Sequence, residues 1–297
     1  MSFNSLMALL VRSSLDHLEE KPTVLELGNQ TLRANDKTLS AIIERSRLRD
    51  DVDAEGLRQL IAYGEKARGE RAADYYKLLG FSDYTAIDVN DNYGSLIMDL
   101  NRDLQEAYDF RDTFSLVTNN GTGEHVFNQD AIYRNVHQHT KVGGLMLHAM
   151  PFYEFVNHGF FSIHPNLYSA LAQANAYQLL SIGVATRNGT GIVAGDLANA
   201  NGDTVLLKET RVPLSVVLSQ AKGLRRGVIG RARSFIGNAD GRRFGKLLRG
   251  LQYETPNLIC FALMRKVNDG PFERPIQGIY EDVVAEDLKG DFAGIRA

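Results

Sequence analysis

Short apolar runs that stop at a glycine or an acid recur along this chain, and polar stretches of helical period separate them. The first run, Thr-Val-Leu-Glu-Leu-Gly at 23–28, follows Pro22 and has the form of a buried parallel strand. Tyr84–Asn90 and Ser95–Asn101 are two more, each ending in an aspartate and an asparagine. Phe114–Asn119 is a fourth, followed by a loop at 120–123. Gly143 and Gly144 open a fifth through Leu145, Leu147 and Ala149, which Pro151 is expected to stop. Ile182–Thr186 and Thr204–Leu207 are weaker strand candidates, and Leu258–Met264 is a clear late one. Between them, Leu39, Ile42 and Ile43, then Ala72, Tyr75, Tyr76 and Leu79, predict two or three helices ending at Gly80. Residues 128–140 read as a helix, and Asn166 as the cap of another running to about Leu180. Strands that alternate with helices form βαβ units. The expected fold is therefore α/β: a Rossmann-like, mostly parallel seven-stranded sheet with helices on both faces.

Length and composition agree with one such domain over 1–297, carrying a helical insertion at 32–80 and a basic insertion at 208–256. The 297 residues are 44% hydrophobic and 23% charged, an ordinary soluble globular balance. The single cysteine, Cys260, lies in an apolar run and excludes a disulfide framework. The longest apolar run is far short of the roughly 20 residues of a membrane span. The N-terminus has no basic lead; Phe3, Leu6, Met7 and Leu10 instead follow the spacing of an amphipathic helix. No signal peptide is read, and the expected compartment is the cytoplasm.

Parallel sheets bind ligands outside the carboxyl ends of their strands, where this chain places Gly28, Asp88 and Asp99. An adenosine cofactor would use each of them. Close approach of backbone after the first strand favours glycine. A carboxylate after the second accepts both ribose hydroxyls, and a further carboxylate accepts from the adenine amino group. Each aspartate also suits a turn or a helix cap; the signal is three in register after successive strands.

Val24-Leu25-Glu26-Leu27-Gly28, Ala86-Ile87-Asp88-Val89 and Ile97-Met98-Asp99-Leu100 resemble the first three cofactor motifs of class I S-adenosylmethionine-dependent methyltransferases. Phe114–Asn119 resembles their fourth strand, and Lys141-Val142-Gly143-Gly144 is similar to the turn entering their fifth. Gly123-Glu124-His125-Val126 and the segment 152–177 resemble a bacterial branch of that family. The resemblance implies S-adenosyl-L-methionine as cofactor. Its methionine moiety would lie near Glu26 and Gly28, its ribose at Asp88, its adenine at Asp99 and neighbours. The implied cofactor set is Glu26, Gly28, Asn29, Gln30, Asp88, Val89, Asp99, Leu100 and Asn119. One departure is plain: the family's G-x-G-x-G loop is here Gly28-Asn29-Gln30-Thr31-Leu32. Asn29, which tolerates left-handed backbone, is expected to supply part of the turn. Gln30 either bonds the amino acid portion of the cofactor or narrows its pocket. The insertion before Asp88 must fold back over the sheet or form a lid.

Six of the seven histidines fall between 125 and 164. His137 and His139 would point to different helix faces and no HExxH spacing occurs, so no metal is expected. Methyl transfer to a hydroxyl needs alignment and a general base. His125, after the fourth strand, and His158, after the fifth, are the candidates. Phe152, Tyr153, Phe160 and Phe161 are the expected walls of an acceptor pocket. The expected activity is methyl transfer to oxygen or nitrogen of a small-molecule or glycan-type acceptor. The alternative is a catalytically inactive or regulatory protein of the same fold that binds the cofactor or a phosphorylated partner. A nicotinamide oxidoreductase would want G-x-G-x-x-G, which is absent.

Residues 222–249 hold nine Lys or Arg against Asp240 alone, leaving 24 bases and 35 acids, or −11, on the rest. Such a stretch suits nucleic acid, a phosphorylated acceptor or an acidic membrane surface. Only Phe235 and Phe244 interleave it, so nucleic acid is not the expected partner. The oligomeric state is left open.

Overall fold

The computed structural model describes residues 3–46, 49–64, 69, 72–186, 191–195 and 257–275, with backbone alone at 191–195. The chain divides into two units, Met1–Lys208 with Leu258–Ala297, and Glu209–Asn257. The second, Asn257 apart, lies outside the described residues, as do the basic stretch 222–249 and the strand candidate Thr204–Leu207.

The first unit carries one sheet of β1 (Thr23–Leu27), β2 (Asp83–Asp88), β3 (Leu96–Ile97), β4 (Phe114–Asn120), β5 (Thr140–Tyr153), β6 (Gln178–Thr186), β7 (Gly191–Gly195) and β8 (Leu258–Arg265). Their order is β3-β2-β1-β4-β5-β8-β6-β7. The first five pair in parallel. β8 inserts antiparallel between β5 and β6, and β7 is an antiparallel edge on β6. The expected mostly parallel sheet is present, with β7 as an eighth strand.

Side chains alternate across the sheet, as the pleat requires, and each face has its own helices. Val24, Leu116, Leu145, Leu147 and Phe261 pack under α1 (Ser5–Ser14), α2 (Asp36–Arg45), α3 (Ala54–Ala62) and α4 (Ala72–Leu78). Leu25, Leu27, Val117, Met146 and Ala262 pack under α5 (Leu104–Tyr108), α6 (Gln129–His139) and α7 (Pro165–Ala174). Asn4 caps α1 by accepting from the Leu6 and Met7 N–H groups, a contact worth about 1 kcal/mol. The insertion folds back over the sheet: Tyr75 and Tyr76 of α4 are fully buried beside Phe3, with rings edge to face. Among the described residues no helix is long and apolar enough to cross a membrane.

Three local expectations need correction. β5 runs through Pro151 instead of stopping there; the proline lies beyond the last β4 pair, Asn120 with Ala149, and at the register shift against β8. It therefore forfeits no ladder bond to β4. α7 is capped by His164, whose Nδ1 accepts the Asn166 N–H, with Pro165 opening the helix. It ends at Ala174, because Ala176 turns left-handed (φ +52°) and Leu179 and Leu180 belong to β6. β3 has only two residues, so Asp99 lies in the turn beyond it.

The strand order reverses between β1 and β4, since the chain builds outward to β3 and then crosses back. A crevice forms at such a point, beyond the carboxyl ends of the strands.

Candidate functional site

At that reversal a cavity of about 330 Å³ is lined by Gly28, Asn29, Gln30, Asp88, Val89, Asp99, Leu100, Asn101, Gly121, Thr122, His125 and Val126. Seven of the nine expected cofactor residues line it; Glu26 and Asn119 do not.

Gly28 ends β1 with its backbone at φ +77°, and a Cβ there would overlap the Thr122 side chain. Glycine is thus required both by the turn and by the approach of the β4 loop. Asn29 is not left-handed, contrary to expectation. It acts through its hydrogen bonds: its N–H donates to Asp88 Oδ2 (3.0 Å), and its amide donates to Asn90 Oδ1, Asn92 O and Ser95 Oγ. The connection after β1 is thereby tied to the turn after β2. Gln30, almost fully buried, donates to Gly28 O (3.4 Å) and Thr122 Oγ1 (3.2 Å). Its Oε1 has no hydrogen-bond partner among the described residues.

The two aspartates differ. Asp88 Oδ1 accepts from the Val89 N–H (2.6 Å) and the Asn90 amide (3.0 Å), so with Asn29 its carboxylate already holds three bonds. Asp99 Oδ1 accepts from both the N–H and the amide of Asn101, which lowers its pKa, while the Asp99 N–H donates to Tyr108 Oη. The Oδ2 of Asp99 takes no hydrogen bond among the described residues.

Glu26 points to the other face of the sheet, where its carboxylate accepts from Tyr76 Oη (3.0 Å) and Tyr84 Oη (2.7 Å). Complete burial pushes its pKa up to about 7 despite those bonds. It is a core group, and the correction follows from the period of two: Glu26 shares a face with Val24, not with Leu25 and Leu27. Asn119 is also buried. Its Oδ1 accepts the Gly123 N–H (3.0 Å) and its Nδ2 meets His148 Nδ1 (3.3 Å), so it shapes the β4 loop from beneath.

His125 and His158, 33 positions apart, meet beside the cavity with ring centroids 4.8 Å apart. Between them stands Glu124, fully buried, with Oε1 3.1 Å from His158 Nε2 and 3.7 Å from His125 Nε2. The loop after β5 brings His158 there. Its Phe160 and Phe161 N–H groups donate to Glu124 O, and a Cβ on Gly159 would collide with Glu124. Burial raises the Glu124 pKa to about 7 and lowers that of His125. Glu124 was absent from the expected site. Its signal was adjacency to His125, but its second partner is 34 residues away.

The other histidines of the cluster are structural. His137 bonds Tyr177 Oη and Gly270 O, His139 bonds Asp112 O, and buried His148 stacks on Tyr168. Of the expected acceptor walls none lines the cavity itself. Phe160 and Phe161 form an aromatic group with Phe127, which no pattern in the sequence singled out; Phe127 is 74% exposed and Phe160 69%. Phe152 packs on His164 and the core, and Tyr153 is exposed.

No protein-family model and no curated protein matches this sequence. Among solved structures it is similar to the O-methyltransferase from the trans-AT PKS multienzyme of Brevibacillus brevis in complex with S-adenosyl-L-homocysteine, at 10% identity over 99% of this chain and 85% of that one, with a TM-score of 0.38. It is also similar to coclaurine N-methyltransferase bound to N-methylheliamine and SAH, at 12% identity over 88% and 70% of the two chains and a TM-score of 0.37. A third is a SAM-dependent methyltransferase from Geobacter sulfurreducens in complex with S-adenosyl-L-homocysteine, at 12% identity over 87% and 90%, with a TM-score of 0.33. All three are methyltransferases, the family the sequence resembles. At these scores the fold rests on the chain's own strand order.

Proposed function

We propose that this chain binds S-adenosyl-L-methionine in the β1/β4 crevice and transfers its methyl group to oxygen or nitrogen of a small-molecule or glycan-type acceptor. The observation that carries the reading is the convergence of Gly28, Asp88 and Asp99 on one cavity, with His125 on its wall. Backbone without a Cβ at Gly28 leaves room for close approach. The residues suit the cofactor: Gly28 and Gln30 at its methionine end, Asp88 at its ribose, Asp99 and Asn101 at its adenine. About 330 Å³ falls at the small end of ligand-sized cavities. Asp88 would receive a ribose diol by exchanging its bond to the Asn90 amide, and Asp99 Oδ2 is placed to accept from an exocyclic amine.

When bound, the sulfonium supplies an already activated methyl group, leaving the protein to align the acceptor and take up its proton. His125 suits the role of proton acceptor. Burial holds its pKa below the usual 6.5, so the imidazole is neutral near pH 7 and has a lone pair to offer. The Glu124 carboxylate beside both rings favours the imidazolium that results.

Gln30 supports a second reading. It stands where the family's loop carries its second glycine, and its side chain occupies part of the crevice. A protein that binds the cofactor or a phosphorylated partner without turnover would tolerate this.

Calorimetry with S-adenosyl-L-methionine and S-adenosyl-L-homocysteine tests the proposal. Wild-type protein is expected to bind both, and Asp88→Ala neither. Equal affinity in the variant removes the site as drawn. Binding without release of S-adenosyl-L-homocysteine across acceptor panels favours the second reading.

A further inference from the structure

The structure assigns a second site beside the crevice: we infer that Glu124, His125 and His158 together hold a divalent transition-metal cation of the zinc class. One ligand atom from each of the three lies within 4.8 Å of the others. Glu124 Oε1 is 3.1 Å from His158 Nε2 and 3.7 Å from His125 Nε2. Ligands about 2.0–2.1 Å from a tetrahedral zinc ion stand about 3.4 Å apart. The two carboxylate–imidazole separations are within a few tenths of an ångström of that, and the imidazole–imidazole separation, within 4.8 Å, would close by side-chain rotation. Two imidazoles and one carboxylate select zinc, iron, cobalt or nickel over magnesium and calcium, which prefer all-oxygen cages.

A second observation is the state of the carboxylate. Glu124 is completely buried, and its Oε2 has no hydrogen-bond partner among the described residues. Among the described residues its side chain pairs with the two imidazoles. A carboxylate in that position is costly unless it is paired or coordinates a metal. Its backbone is fixed as a ligand's should be: the Phe160 N–H donates to Glu124 O at 2.7 Å, and Gly159 lies against it.

Three protein ligands leave a coordination position open, and His125 places it on the wall of the cavity. A hydroxyl oxygen of an acceptor suits that position. Bound to the ion, it would lose its proton to solvent more readily. The cation also takes the imidazole lone pairs, so loaded and empty protein would activate an acceptor by different groups. The metal site stands independently of the cofactor reading.

Cobalt(II) alone, titrated into metal-stripped full-length protein, tests the assignment through its visible absorption. One equivalent should bind with an intense band and be displaced by zinc. Glu124→Gln, His125→Ala and His158→Ala should each weaken uptake at least tenfold. Saturable binding that survives all three variants, or no band at all, overturns the site. S-adenosyl-L-homocysteine calorimetry on His158→Ala, whose side chain does not line the cofactor cavity, separates the two proposals: retained binding with lost cobalt identifies a cation ligand, and retained cobalt binding overturns the site. Where His158→Ala also lowers the Tm, His158→Gln decides between loss of a ligand and loss of the fold.

Discussion

A methyl group added at Gly28 would meet the Thr122 side chain, on backbone already held at φ +77°. Left-handed backbone costs an L-residue about 1–2 kcal/mol, and displacing Thr122 would also break its bond from Gln30. Gly28→Ala is therefore expected to destabilise the protein by about 1–3 kcal/mol and to weaken S-adenosyl-L-homocysteine binding more than tenfold. Thermal melting and calorimetry read the two effects. An unchanged Tm would mean that the β4 loop gives way freely. Gly28 was legible from sequence because a glycine closing a buried strand has few other reasons to be there. Glu26 was not, because a strand shows which residues share a face but not which face meets the cavity. Tyr76 and Tyr84, which claim its carboxylate, lie 50 and 58 positions away.

The connection after β1 keeps its shape without the two later glycines of the family's loop. Leu32, at the third glycine position, is buried and forms an isolated bridge with Phe3, so the connection is anchored in the core. Asn29 anchors its other side with three side-chain bonds to the β2–β3 turn. Both Asp88 and Val89 lie at the start of that turn, so losing the tie should blur the cofactor-facing rim while leaving the core intact. Asn29→Ala is expected to reduce S-adenosyl-L-homocysteine affinity about tenfold, near 1.4 kcal/mol. Stability should fall by about 1 kcal/mol, the usual net contribution of partly buried hydrogen bonds. A urea midpoint beside a calorimetric titration checks both, and unchanged affinity would remove Asn29 from the rim. The element pattern was legible here: alternating strands and helices fix which loops share an edge. The loop after β5 was not, because it reaches Glu124 through left-handed Glu154 and Asn157, which no periodicity announces.

Across the whole molecule, strand direction was legible only where a helix forces it. Helices stand between β1 and β2, between β3 and β4 and between β4 and β5 and make those crossovers parallel, whereas β2 and β3 pair in parallel across a short turn without an α-helix. β8 arrives from a distant part of the chain, and nothing local marks it as antiparallel between β5 and β6. The fold that results buries ionisable groups on both faces of the sheet, and their pH responses oppose one another. In the metal-free chain, burial lifts Glu26 and Glu124 from 4.5 to about 7, so the folded chain holds two protons that the unfolded chain has released. Their contribution to stability is complete below pH 4.5 and is lost as pH rises through 7. Burial lowers His137 to about 4 and His148 to about 3, so below pH 6.5 the unfolded chain gains protons that the folded chain refuses. Their contribution is present above pH 6.5 and is lost as pH falls. Between pH 4.5 and 6.5 the two pairs act in opposite directions, and His125 and His139, which burial also lowers, add to the side that favours higher pH. Glu26→Gln keeps a hydrogen-bonding group beside Tyr76 and Tyr84 but removes one titration. Its stability should then rise with pH across that window, by about 1.4 kcal/mol per unit more than the wild type. Urea unfolding at pH 5.0, 5.5, 6.0 and 6.5 measures the difference. Parallel profiles for the two proteins would mean that Glu26 ionises in the folded state at its ordinary pKa, with the tyrosines fully offsetting its burial.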